Sequence, residues 1–239
     1  MHDELDKDAI GHELATCITE ARELRAARAR DRRPEDYPRL KEFQAARLAH
    51  SYADLLASER YRPAAKFFLS DLYGPKDFRS RDEELARVVP IMVHVLPARA
   101  LATLLEAVKM DTLSESLDTD MVLALRRSGH AEAIDWPAYV AAYRRCGRRK
   151  DREQQIVLVD QIGKTLDHLT RMPLVRYSLK LMSGPAHLAG LGALHDFLQG
   201  GFDAFGFMKG ADEFLAIVGE RETALMRELF ANPNARCPE

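Results

Sequence analysis

Cysteine is scarce in this chain: three in 239 residues, Cys17, Cys146 and Cys237, none at metal-binding or redox spacing. An odd, scattered set excludes a disulfide framework as the source of stability and fits a reducing compartment, the cytoplasm. A surplus of either charge sign is missing too. The 35 Lys and Arg stand against 37 Asp and Glu, for a net charge of −2. That balance exerts no overall pull toward nucleic acid or an anionic membrane. No apolar run reaches the roughly 18 residues of a membrane span. The acidic, polar residues 1–8 carry neither the basic start nor the apolar stretch of a secretory signal. No segment sustains the period-two alternation of a half-buried strand, and no repeat at about 20–50 residues points to a solenoid.

The familiar catalytic patterns are absent as well. None of the eight histidines has Glu three positions before it, and no His-Glu-x-x-His occurs. The ligand set of a ferritin-like di-iron bundle is therefore not spelled out. There is no Gly-x-Ser-x-Gly elbow. Gly184, Gly190 and Gly192 lack both phosphate-loop spacing and a preceding strand. Cys17 and Cys146 fall on apolar helix faces, where thiols are inert.

What the chain does have is helical periodicity on 46 % hydrophobic residues. Ile10, Leu14, Cys17, Ala21 and Leu24 make one stripe, and Ile156, Val159, Ile162, Leu166 and Leu169 another. Pro34 and Pro38 separate the first helix from a second over about 38–59. Further helices are predicted over about 60–73, 80–95 with a kink at Pro90, 97–107, 112–127 and 136–146, with Asp135 as N-cap. Ser80 and Glu83 have capping-box spacing. After Pro173 the pattern gives helices to 182, then over 185–199, 202–208 and 211–230. The fold predicted is all-α, an irregular multi-helix bundle of about eight to ten helices, one domain over 1–239. The basic stretch at 147–152 is the best candidate for an internal boundary.

Several patches are candidate sites. Residues 184–219 hold eight of the 13 glycines, and residues 197–230 hold six of the ten phenylalanines. Either small residues let helices approach while rings fill the gaps, or the same residues wall a pocket for a small apolar ligand. His187 and His195, eight apart, read as one helical face able to ligate a metal or haem. His50 and Asp54, one turn apart, complete the thin set of metal candidates with His195. The turn after the sixties helix gathers Tyr73, Asp77, Arg81 and Asp82 as ligand-contacting candidates. Two basic runs, residues 22–33 and 144–152, read as solvated helix faces in the absence of any nucleic-acid-binding motif.

The stretch Phe67-Phe68-Leu69-Ser70-Asp71-Leu72-Tyr73 resembles the signature of a bacterial family named for its Phe-Phe-Leu-Glu-Glu-Leu-Tyr motif, matching five of seven positions. Ser70 and Asp71 replace the two Glu. The resemblance implies a bacterial intracellular protein and no particular activity. The leading functional expectation is a non-enzymatic binding protein, with an apolar groove or an apolar helix face that pairs with itself or a partner. The stripe from Ile10 to Leu24 is the candidate face. A metal- or cofactor-dependent oxidoreductase on a haem-oxygenase-like or ferritin-like bundle, using His187, His195, His50, Asp54 or Tyr73, is the alternative. A nucleic-acid-associated protein is a third.

Overall fold

A computed structural model describes residues 6–72, 79–95 and 98–238. Among them the regular structure is helical throughout, with no strand. In chain order the elements are α1 (Lys7–Ala29), α2 (Asp36–Ser51), α3 (Ala53–Ala57), α4 (Arg62–Phe67), a π-helical turn (Phe68–Leu72), α5 (Arg79–Val95), α6 (Ala98–Ser128), α7 (Trp136–Cys146), α8 (Arg149–Thr170), α9 (Pro173–Leu188), α10 (Gly192–Met208) and α11 (Asp212–Ala231). The all-α bundle predicted from periodicity is what the chain forms.

Local chemistry explains several helix ends. The Asp6 carboxylate accepts from the amides of Asp8 and Ala9 and starts α1. Asp135 accepts from the Ala138 amide at 2.8 Å and starts α7, with Pro137 in the first turn. α9 ends in a Schellman motif: the Leu191 amide donates to the Ala186 carbonyl at 2.8 Å and the Gly190 amide to His187 at 3.0 Å. Gly190 supplies the left-handed backbone this needs, at φ 69°.

Three predicted boundaries move. The helix predicted over 38–59 breaks at Tyr52 into α2 and α3. The helices at 97–107 and 112–127 are one helix, α6; nothing between 98 and 128 is Gly or Pro. Thr112, where the second of them was expected to begin, donates its hydroxyl to the Val108 carbonyl one turn back and to Cys17 on α1. α9 runs through Pro185 to Leu188, where the reading had stopped at 182 and restarted at 185. α5 likewise continues through Pro90.

Three clusters of buried side chains make up the core. One joins Tyr37 and Leu40 to Met121 and Leu125 of α6, to Tyr139 and Tyr143 of α7, and to Leu229 of α11. A second packs α3 and α4 against Phe205, Met208 and Phe214. The third joins Leu14 and Ile18 of α1 to Leu85, Leu101 and Leu105, with Leu194 of α10 at its edge. The stripe from Ile10 to Leu24 therefore faces inward: Ile10, Leu14 and Ala21 are buried against α5 and α6. It is core, not the outward face it was expected to offer.

The basic run at 22–33 is tied into this core by acids. Arg25 bonds Asp111 at 2.6 Å, and Arg28 pairs with Glu115. Glu115 also meets Lys41 at 2.8 Å. Burial alone would raise the Glu115 carboxyl, but Lys41, Arg28 and Arg25 outweigh it and hold it below the ordinary range. In the second run Arg148 reaches Ser116 at 2.7 Å and Asp120 at 2.8 Å on α6, which closes the tight α7–α8 turn. Arg144 donates to the end carbonyls Leu229 and Phe230 of α11.

Candidate functional site

The α9–α10 corner draws together the most chemistry. α9 lies on α10 and touches α8, at the margin of the bundle. The Schellman turn at Gly190 reverses the chain, so α10 begins beside the end of α9. Gly192 makes the reversal tight: a Cβ there would lie 2.8 Å from Cδ2 of His187. From α5, Glu84 accepts the Leu194 amide at 2.8 Å, and Arg87 donates to the Gly190 carbonyl at 2.5 Å.

His187 and His195 do not share one helix, as their spacing had suggested; they sit on α9 and α10 and meet across the turn. Their ring centroids are 5.8 Å apart. Backbone carbonyls fix both rings. His187 Nδ1 donates to Ser183 at 2.8 Å, and His195 Nε2 donates to Leu179 at 2.9 Å. A carbonyl only accepts, so each of these nitrogens carries a proton. The other ring nitrogens, Nε2 of His187 and Nδ1 of His195, each lie 3.4 Å from Oδ1 of Asp196. The Ser183 carbonyl, followed by the Asp196 charge, raises the His187 imidazole above its ordinary pKa. His195 is buried, while His187 and Asp196 are open to solvent. Among the described residues these three form the one cluster of ligand atoms, all within 4.8 Å of each other, able to hold a metal ion.

The outer face of α9 is the second feature. Val175, Leu179 and Ala186 point into the protein. On the opposite side Leu174 is 73 % exposed, Tyr177 66 %, Leu181 63 % and Leu188 92 %. These four, with Gly184, alternate three and four residues apart, the spacing of a helix–helix seam. Space around Gly184 is open. α9 has no acidic residue; Arg176, Lys180 and His187 line one flank of the seam.

The family described as "Domain of unknown function (DUF8198)" matches residues 23–236. The chain belongs to the DUF8198 family. No curated protein and no solved structure matches it.

The other candidates in the DUF8198 chain are spread over several elements. Tyr73 and Asp77 lie outside the described residues, as do the side chains of Ser80, Arg81 and Asp82, whose backbone falls in the first turns of α5. Asp54 is engaged by both terminal nitrogens of Arg221 at 2.7 Å, and this hydrogen bonding lowers its carboxyl pKa. His50 and Asp54 do not converge with a third ligand. Burial pushes the Cys17 and Cys146 thiols up, away from thiolate chemistry. Part of the Gly- and Phe-rich segment packs, and its Asp203, Gly206, Phe207 and Met208 wall a surface hollow. Phe202, Phe205 and Phe214 are buried, and the Phe67 ring sits over Gly201 and 5.4 Å from Phe197. Two hollows, of about 680 and about 540 Å³, lie outside that core around Arg176, rimmed by Arg60, Asp203, Lys209, Arg171 and Lys180. The residue that sequence reasoning missed is Asp196. It follows His195 directly, yet only the turn at Gly190 brings His187 to it.

Proposed function

We propose that this chain is a non-enzymatic interaction protein, a single helical domain acting in the bacterial cytoplasm, that pairs with a second copy of itself through the outer face of α9. One observation carries the reading: an apolar helix seam left open to solvent. Leu174, Tyr177, Leu181 and Leu188 together expose on the order of 600 Å², the upper end of what a monomer leaves in one patch, about 300–600 Å². Used twice about a two-fold axis, it buries on the order of 1,200 Å², where specific interfaces begin. Charge selects the arrangement. Lys180 and His187 take one flank of the seam, Ser178 and Pro185 the other. Parallel pairing sets the basic flank against the neutral one, whereas antiparallel pairing sets it against itself. The kinship of Phe67–Tyr73 with the Phe-Phe-Leu-Glu-Glu-Leu-Tyr family belongs to the same reading. There Phe67 and Phe68 are buried side chains packed beside α10.

Sedimentation equilibrium tests the pairing. The parent chain is expected to be a dimer at micromolar concentration. Leu181→Asp and Leu174→Asp are expected to be monomers with unchanged circular dichroism, because both side chains are exposed. A monomeric parent overturns the pairing. If that monomer floats with anionic phosphatidylglycerol vesicles, the face belongs to lipid instead.

A further inference from the structure

We infer that His187, His195 and Asp196 form a binding site for a single divalent transition-metal ion of the zinc class, clamping the end of α9 to the start of α10. The inference is independent of α9 pairing and stands on geometry. Zinc bonds imidazole nitrogen and carboxylate oxygen at about 2.0–2.2 Å in a tetrahedron, which sets its ligand atoms about 3.4 Å apart. His187 Nε2 and His195 Nδ1 both stand 3.4 Å from the same carboxylate oxygen.

The surroundings are those of a metal site as well. A ligating histidine donates its other N–H to a carbonyl or carboxylate, which fixes tautomer and orientation. Both rings do this, to Ser183 and Leu179. Gly192 leaves the room that the His187 ring occupies. Glu84 adds negative charge from α5, while Arg87, bonded to the Gly190 carbonyl, is the cation on the same side. Three protein ligands leave the fourth corner to water, and imidazole with carboxylate suits zinc ahead of the hard cations magnesium and calcium.

The competing arrangement is a proton on His187 forming an imidazolium–carboxylate pair with Asp196. Zinc titration of the full, tag-free chain separates the two. A Cys237→Ser background removes the exposed thiol, and competition with a chromogenic chelator reads affinity. One zinc per chain is expected, weakened at least about tenfold in Asp196→Asn and in His187→Gln. Both side chains are exposed, so folding is expected to be intact by circular dichroism. Cobalt added alone is expected to give the visible bands of a tetrahedral site in the parent and in neither variant. A parent that takes up no stoichiometric zinc, or that binds it no more tightly than both variants, leaves an imidazolium–carboxylate pair only and overturns the site.

Discussion

Two helical glycines show how side-chain space decides the sign of a substitution. Ala normally favours an exposed helix over Gly by about 1 kcal/mol. At Gly219 in α11 a new Cβ meets nothing within 4 Å. Gly219→Ala is therefore expected to stabilise the protein by about 0.5–1 kcal/mol. At Gly201 in α10 the same Cβ would stand 2.8 Å from Cζ of Phe67, a ring that is itself buried. Gly201→Ala is expected to destabilise by about 1–3 kcal/mol, as overpacking does. Urea midpoints of the two variants against the parent check both signs. The clustering of glycine and phenylalanine was legible in the sequence, but its meaning was not. Whether Phe67 packs on Gly201 or lines a cavity depends on two segments more than a hundred residues apart. The same limit hid the His187–Asp196 contact, because spacing alone does not report a reversal between the two.

Elements join through ion networks whose strength depends on pH. Arg126 on α6 donates to Asp36 at 2.7 Å, to Asp31 at 2.8 Å and to the Arg33 carbonyl at 2.6 Å, fixing the α1–α2 connection to α6. The Arg126 hydrogen bond first, then the Arg33 amide, pull the Asp31 carboxyl from its ordinary 3.8 down to about 2. A depressed folded pKa means that Asp31 binds its proton more readily in the unfolded chain. Its contribution is thus full above the ordinary value and is lost as pH falls from about 4 toward 2. Arg126→Met is expected to destabilise by about 3 kcal/mol at neutral pH, because it leaves the buried Asp36 with weaker partners. It is also expected to flatten the acid limb of the stability curve between about pH 4 and 2. Thermal melts of parent and variant across that range measure both. An unchanged acid limb would place Asp31's partner elsewhere. At this scale the helices themselves were legible from stripes and caps, as at Asp135. The length of α6 was not, because Thr112 has the chemistry of a cap and uses it along the helix and toward α1.

At the scale of the whole molecule, α9 stands apart from the rest. α6 runs through two of the three core clusters, whereas α9 contributes Ala186 as its only fully buried side chain among the described residues. Stability in a bundle follows burial, and an element with little of it opens at far lower free energy than the global transition. Amides of α9 are therefore expected to exchange with solvent faster than those of α6 in dilute solution, by hydrogen-exchange mass spectrometry. Pairing changes this. If α9 packs on its counterpart, its opening requires dissociation, so its protection rises with protein concentration while that of α6 and α11 does not. In Leu181→Asp the concentration dependence is expected to vanish and the dilute rate to remain. The clamp proposed at His187, His195 and Asp196 would act on the same element by a different route: zinc is expected to slow exchange at the C-terminal end of α9 at every protein concentration, and Asp196→Asn to abolish that effect alone. Protection that responds to neither concentration nor zinc would mean that α10 and α8 alone hold α9 in place.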